Sequence, residues 1–138
     1  VVGKHQSKLA LLAAKGIGTA LLRDVTDSRM ADLVVDCTGS ATGLPAALRL
    51  VRPRGTIVLK TTVAGSQELA WAPFVIDEVT LVGSRCGPFD RALKGLESGE
   101  VDVRPLLSER FDLSGGIDAL ARAQAPGVLK VLLDVAAS

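Results

Sequence analysis

The amino-acid sequence predicts an α/β domain built on a parallel β-sheet. Short apolar runs alternate along the chain with longer amphipathic stretches, as strands and helices do in parallel α/β sheets. The length of 138 residues leaves room for one domain with a single hydrophobic core. A hydrophobic content of 48% excludes disorder as the default state.

The first predicted elements are a strand that stops at Gly3 and an amphipathic helix over residues 6–15. Apolar residues of this stretch recur on one helical face, with lysines outside that face. Ser7 is the expected N-cap of the helix, and Gly16 is expected to adopt the left-handed conformation after its end. A second, short strand is predicted over 19–22.

The middle of the chain carries the clearest strand signal, a continuous β-branched run over residues 33–37. Such a run is typical of a strand whose two faces are both covered by helices. A turn at 38–40 leads to a predicted helix over 41–51. Residues 53–55 then interrupt the pattern, and a further strand is predicted over 56–59.

The last third of the chain continues the same alternation. It predicts a strand over 79–82, a helix over 89–96 closed by Gly99, a helix over 117–125 and a terminal strand over 128–135. These strands are rich in valine and leucine, and the helices have apolar residues at helical spacing.

Composition and charge exclude several classes of function. Lys plus Arg number 16 against 15 for Asp plus Glu, so no basic excess exists for binding nucleic-acid phosphates. Aromatic residues are only 3%, which excludes base-stacking platforms. No apolar run reaches the roughly 20 residues of a membrane span, and no signal-peptide pattern is present. We therefore expect a soluble, cytoplasmic protein with no nucleic-acid or membrane partner.

The reactive residues are too few for an active site. The single histidine is His5, and the two cysteines have no zinc spacing. We therefore predict no catalytic residue and no metal ligand in this chain. The chain begins with Val1 inside a strand rather than with Met, and a strand of two residues is short. We expect it to be part of a larger protein.

Glycine motifs for phosphate binding are missing, because no G-x-G-x-x-G and no P-loop is present. Gly16 and Gly18 match the first two glycines, but Leu21 occupies the third place, and we interpret this stretch as a helix stop. In open parallel sheets, ligands bind outside the carboxyl ends of the strands. The candidate loops are Gly3-Lys4-His5, Cys37-Thr38-Gly39-Ser40, Lys60-Thr61-Thr62 and Ser84-Arg85-Cys86.

Several of these stretches carry a family resemblance. They are Val2-Gly3-Lys4-His5, Val34-Val35-Asp36-Cys37-Thr38-Gly39, Leu50-Val51-Arg52-Pro53-Arg54-Gly55-Thr56-Ile57-Val58, Val82-Gly83-Ser84-Arg85-Cys86-Gly87-Pro88 and Gly127-Val128-Leu129-Lys130-Val131-Leu132-Leu133. Together they resemble the C-terminal, nucleotide-binding half of zinc-type alcohol dehydrogenases, in the medium-chain dehydrogenase/reductase superfamily. The resemblance spans essentially the whole chain.

The resemblance implies a fold and an activity. The fold is a doubly wound parallel sheet, a Rossmann-like NAD(P)-binding domain over residues 1–138 that is incomplete at its N-terminal strand. The implied activity of the intact enzyme is hydride transfer between a nicotinamide cofactor and a small alcohol or carbonyl substrate. Zinc and the catalytic machinery belong to a catalytic domain that this chain lacks, so the chain alone is expected to be inactive.

On this resemblance, the residues at the tip of the first predicted strand indicate which dinucleotide the domain binds. An acidic residue there would bind the ribose hydroxyls of NAD. The sequence instead has Gly3, Lys4 and His5, with Lys8 one turn into the helix. Glycine would make room for the 2′-phosphate of NADP and the cations would attract it, so NADP is favoured over NAD. The structural alternative is a solvated, charged edge.

The next loop offers a glycine and a hydroxyl. Gly39 would let the backbone pass close to a cofactor with Thr38 as a hydrogen-bonding wall. Alternatively, Gly39 only supplies the freedom for a tight turn and Ser40 caps the following helix; both interpretations can hold together. Cys37 is expected to be a small buried residue rather than a nucleophile.

The two remaining loops follow the later strands. The resemblance places the nicotinamide end of the cofactor near Lys60 and Thr61, although Lys60 can equally be a charged strand terminus. Ser84 and Arg85 are candidates for a phosphate or a substrate carboxylate, since arginine binds such groups with two parallel hydrogen bonds. Cys37 and Cys86 are not expected to pair, because strands two apart lie roughly 9–10 Å from one another.

The segment from Gln67 to Phe74, with Val75 and Ile76 after it, has no clear assignment. It contains Leu69, Trp71 and Phe74 with few charges nearby, which favours a lid on the core. The resemblance instead suggests an edge used for subunit pairing, so a homodimer is a second hypothesis.

Two other functions remain open to the sequence. A non-catalytic nucleotide-sensing or interaction module could use the same loops. A transferase that binds an adenosyl cofactor is disfavoured, because it would need an acidic residue where Gly3-Lys4-His5 stands.

Overall fold

The computed structural model describes residues 1–66 and 68–135 and confirms the α/β class. The strands within these residues are β1 Val2–Gly3, β2 Ala20–Leu21, β3 Ala31–Asp36, β4 Val51–Leu59, β5 Thr80–Gly83, β6 Leu107–Asp112 and β7 Lys130–Asp134. The helices are α1 Gln6–Ala13, α2 Gly43–Leu50, α3 Ala72–Ile76, α4 Phe89–Glu97 and α5 Gly116–Ala123. The strand pairs β1–β2, β3–β4, β4–β5 and β6–β7 are all parallel.

The chain divides into two compact units, Val1–Asp24 with Gly87–Ser138, and Val25–Cys86. In its described part, the first unit contains the two-stranded sheets β1–β2 and β6–β7. Leu9 of α1 and Ala119 of α5 are its buried apolar residues. Strand β6, which the sequence analysis missed, is held by charge pairs on either side: Glu109 binds Arg122 of α5, and Arg110 binds Asp134 of β7.

The second unit is the three-stranded sheet β3–β4–β5 with α2 packed on one face. Its buried core consists of Leu44 and Ala47 of α2 with Val51 and Ile57 of β4. The expectation that β3 is covered on both faces is wrong in this chain, because Leu33 is 57% exposed. Alternation along the strand directs Val34 toward the core and Leu33 to the opposite face.

The predicted interruption at residues 53–55 is a bulge inside β4 rather than the end of an element. Ala31 pairs with Val51 and Leu33 with Thr56, so the intervening residues of β4 bulge out of the ladder. Pro53 has no N–H to donate, and such a position tolerates it.

The segment around Trp71 is not a simple lid. Leu69 and Phe74 pack against the core, as the lid interpretation predicts. Trp71 is 64% exposed, and Val75 and Ile76 of α3 are exposed as well. The Trp71 and Phe74 rings lie 5.8 Å apart. Gln67, where the predicted segment begins, lies outside the described residues.

Candidate functional site at the strand ends

The predicted site residues follow the carboxyl ends of four strands. Three of those strands, β3, β4 and β5, lie side by side and parallel in the second unit. Their carboxyl ends therefore meet at one edge of the sheet, where ligands bind in open α/β sheets. The loop after β1 belongs to the first unit.

Asp36, the last residue of β3, connects the loops after β3 and β4. Its side chain is buried, with an exposed fraction of 3%. Oδ1 accepts hydrogen bonds from the backbone N–H of Thr38 at 2.9 Å and from the hydroxyl of Thr61 at 2.7 Å. The Thr61 hydroxyl oxygen in turn accepts a hydrogen bond from the N–H of Gly39 at 3.3 Å. Three predicted site residues are thus brought together by a carboxylate that the sequence analysis did not select.

The loop after β3 combines an open glycine with an ordered turn. Gly39 has a φ of +64°, in the left-handed region, and a Cβ at this position would meet nothing within 4 Å. The Ser40 hydroxyl accepts a hydrogen bond from the N–H of Thr42, the N-cap of α2. The left-handed φ of Gly39 fits a tight turn, but the expectation that Ser40 caps the helix is wrong, because the N-cap of α2 is Thr42.

The expectation that Cys37 is buried is wrong. Cys37 is exposed, as is Cys86, and both thiols are free. The side chain of Asp36 occupies the buried direction at the end of β3. Successive side chains of an extended chain point to opposite sides, so the residue after Asp36 points outward.

Lys60, Ser84 and Arg85 are brought together at the ends of β4 and β5. The Lys60 ammonium donates a hydrogen bond to the backbone carbonyl of Arg85 at 2.8 Å, and its Nζ lies 3.5 Å from Oγ of Ser84. The N–H of Ser84 donates to the carbonyl of Leu59 at 3.0 Å. Lys60 therefore ties two strand ends together, the role that the strand-terminus interpretation predicts, while the Arg85 side chain is exposed.

The tip of β1 presents a cluster of basic residues. Lys4, His5 and Lys8 are exposed, and the carbonyl of His5 accepts hydrogen bonds from the N–H groups of Lys8 and Leu9 at 3.2 Å each. No acidic residue lies in the first turn of α1. The positive end of the helix dipole therefore adds to the charge of these side chains.

Two local details of this tip differ from the sequence interpretation. The N-cap of α1 is His5, so the prediction of Ser7 as N-cap is wrong, and Ser7 lies inside the helix. A Cβ on Gly3 would lie 3.0 Å from Cδ2 of Leu9. The close packing of α1 on β1 therefore explains the glycine at this position. This explanation stands beside the room that Gly3 would leave for a ligand.

A metal site is not formed by the described residues. Within residues 1–66 and 68–135, no group of three or more His, Cys, Asp or Glu side chains is placed to hold a metal ion. In the same part of the chain, no helix has the length and apolar character to cross a membrane. The residues that the structure describes therefore do not provide a set of ligands for zinc.

The first unit also has a cavity of about 320 Å³ after α4, lined by Leu96, Gly99, Val101, Asp102, Val103 and Arg104. Hydrogen bonds from Arg104 lower the pKa of the Asp102 carboxyl to about 2. As far as the described lining extends, none of the predicted site residues contributes to this cavity.

Parallel strands with glycine and polar residues at their carboxyl ends are a feature of Rossmann-type α/β folds, and solved structures show the same fold. L-idonate 5-dehydrogenase from Escherichia coli superposes with a TM-score of 0.86 at 20% identity, over 96% of this chain and 42% of that one. A zinc-binding dehydrogenase structure from Sinorhizobium meliloti 1021, bound to NADP, gives 0.80 at 21% identity, over 97% of this chain and 44% of that one.

The family follows from sequence. The family model described as zinc-binding dehydrogenase matches residues 10–98, and the chain belongs to this family. Sorbitol dehydrogenase of Ovis aries is 29% identical over 107 residues, which cover 74% of this chain and 29% of that protein. The chain spans about a third of the length of the curated relatives it matches.

Proposed function

We propose that residues 1–138 are the cofactor-binding part of a larger NAD(P)-dependent oxidoreductase. Family membership and the share of the relatives' length that the chain spans both support this. The parallel pairing of β3, β4 and β5 supports it as well, because dinucleotides bind outside the carboxyl ends of parallel strands in open α/β sheets.

The proposed reaction is hydride transfer between nicotinamide and an alcohol or carbonyl substrate. The bound cofactor would supply the hydride chemistry, while the protein binds and orients it. Relatives named for sorbitol and L-idonate favour a polyhydroxylated substrate. In this proposal, Thr38, Gly39, Lys60 and Thr61 line the cofactor, and Ser84 and Arg85 lie at the same sheet edge. Catalytic residues and zinc ligands come from another part of the enzyme.

The basic cluster at the tip of β1 is the basis for proposing that the cofactor is NADP rather than NAD. Lys4, His5 and Lys8 are exposed, and the first turn of α1 has no carboxylate to repel a phosphate. A phosphate at this tip would gain charge-assisted hydrogen bonds that a ribose hydroxyl cannot form equally well. Among the neighbouring structures one holds NADP and another NADH, so they support a dinucleotide site, and the preference for NADP rests on the basic cluster.

The test replaces Lys4 by Asp in the protein that carries this chain. The dissociation constants of NADP and NAD are measured by calorimetry for native protein and variant. We expect NADP binding to weaken by about 1–3 kcal/mol, the contribution of a charge-assisted contact, with a much smaller change for NAD. Lys94→Asp, the same charge change in α4, is the control and should leave both constants near native. Equal losses for the two cofactors would show that the cluster does not recognise the phosphate.

We also propose that the protein pairs into a homodimer through the exposed side of α3 and the neighbouring strand β5. Trp71, Val75 and Ile76 are exposed apolar residues at α3, and β5, the next strand along the chain, is exposed over its whole length Thr80–Gly83. Long exposed apolar side chains beside an open strand edge are typical of a surface that is covered in the assembled protein.

A further inference from the structure

Asp36 places a carboxylate in the protein interior, where burying a charged group is energetically unfavourable. It is the buried charged residue of the described chain, and its two oxygens have unequal surroundings. Oδ1 accepts two hydrogen bonds, whereas Oδ2 is buried with no hydrogen-bond partner. An unpaired buried polar atom opposes folding, and such an atom in a native protein calls for a reason beyond filling space.

The geometry around Asp36 shows how the cost is reduced. Gly43, the first residue of α2, lies directly against the carboxylate, because a Cβ there would be 2.5 Å from both Oδ1 and Oδ2. Only glycine at this position allows the carboxylate so close to the first turn of the helix. The positive end of the α2 dipole then favours the negative charge of Asp36.

The hydrogen bonds of Asp36 connect two loops that lie far apart in the sequence. Its side chain binds Thr38 in the loop after β3 and Thr61 in the loop after β4. Its backbone carbonyl also accepts the N–H of Lys60 at 2.9 Å. The Thr61 hydroxyl completes the connection by accepting the N–H of Gly39. Residues of both proposed cofactor-binding loops are thereby fixed to one buried group.

We infer that Asp36 is a positioning residue for the dinucleotide. Its burial keeps it from touching a ligand, and it acts through Thr61 and Thr38, which it holds in one arrangement. This inference rests on the proposed function, since it assigns a purpose to a network within the proposed cofactor site. The competing explanation is that the network only stabilises the fold.

The test is a double-mutant cycle of Asp36→Asn and Thr61→Val in the protein that carries this chain. Dissociation constants for NADPH and NADH are measured for the native protein, each single variant and the double variant. Asparagine keeps the shape of residue 36 and removes its charge, and valine keeps the volume of residue 61 and removes its hydroxyl. Thr26→Val, at an exposed threonine that precedes β3 and lies outside the candidate loops, is the matched control.

We expect each single variant to bind the dinucleotide about tenfold more weakly, the scale of one hydrogen bond to a charged group. The double variant should lose about the same factor, because two residues that act through one interaction have non-additive effects. A hundredfold loss in the double variant would mean independent action and would overturn the inference. So would native affinity in both singles. Native protein that binds neither dinucleotide would instead refute the proposed function, and the inference with it.

Amide hydrogen exchange of Gly39 provides a measurement that needs no ligand. Thr61→Val removes the acceptor of the Gly39 N–H, so this amide should exchange faster, and Thr61→Ser should restore the native rate. This comparison decides the question if Asp36→Asn does not fold. Faster exchange together with native dinucleotide affinity would mean that the network is only structural, and an unchanged exchange rate would mean that it does not hold the loop.

Discussion

Gly43→Ala tests the packing around Asp36, because two physical effects predict opposite signs. Alanine is favoured over glycine in a helix by about 1 kcal/mol, and Gly43 begins α2. The alanine Cβ, however, would lie 2.5 Å from both carboxylate oxygens of Asp36, closer than atoms can pack. The same Cβ would lie still closer to the Thr38 hydroxyl, so α2, the carboxylate or the Thr38 side chain must move.

The expected loss of stability depends on which groups the new Cβ displaces. Overpacking a close-packed site costs about 1–3 kcal/mol. Displacing the Asp36 carboxylate also weakens its bonds to Thr38 and Thr61, each on the scale of about 1.5–3 kcal/mol for a hydrogen bond to a charged group. Allowing for partial retention of these bonds and for the gain in helix propensity, we expect a net loss of about 2–4 kcal/mol in the free energy of unfolding.

The assay is equilibrium unfolding in urea, with Gly83→Ala as the matched control. A Cβ on Gly83 in β5 would meet nothing within 4 Å, and its φ is not in the left-handed region. This control should therefore stay within about 1 kcal/mol of the native protein, with a tendency to stabilise it. A Gly43→Ala protein as stable as the native one would refute the packing argument and would remove the reason for glycine at this position.

The remaining predictions concern pH and assembly. The Asp102 carboxyl should titrate with a pKa of about 2, below the usual 3.8, because Arg104 binds it. This interaction stabilises the fold fully above the ordinary pKa and is lost as pH falls through about 2. NMR titration checks it: Arg104→Gln should return the pKa toward its ordinary value, and an ordinary pKa in the native protein would contradict the prediction. For assembly, sedimentation at micromolar concentration should show a dimer that Val75→Asp dissociates, whereas a native protein that sediments as a monomer with Trp71 accessible to quenchers would rule out the dimer.

The strands and helices with strong local signals could be predicted from the sequence. The continuous apolar run of β3 and the glycine after α4, Gly99 with a φ of +74°, are examples. Strand β6 was missed because its sequence, LSERFD, contains three charged residues. Its burial alternates between half-buried and exposed positions, which is a weaker signal than a continuous apolar run.

The candidate site was predicted only in part. The sequence identified the strand-end loops, because polar and glycine residues directly follow apolar runs. It did not identify Asp36, whose partner Thr61 is 25 positions away. A contact at that separation depends on the register of β3 against β4, in which Asp36 pairs with Leu59. An acidic residue directly after the apolar run Leu33-Val34-Val35 was the available signal.

The sequence by itself determined the α/β class, the positions of the loops and the basic residues beside the first strand. These depend on hydrophobic periodicity, turn residues and charge, which are properties of neighbouring positions along the chain. The tertiary structure decided that Asp36 is buried and Cys37 exposed, that Lys60 binds the backbone of Arg85, and that Gly43 must lack a side chain. The physical reason is that burial and hydrogen bonding are set by which strands and helices pack together, and that packing joins residues with no local relation in the sequence.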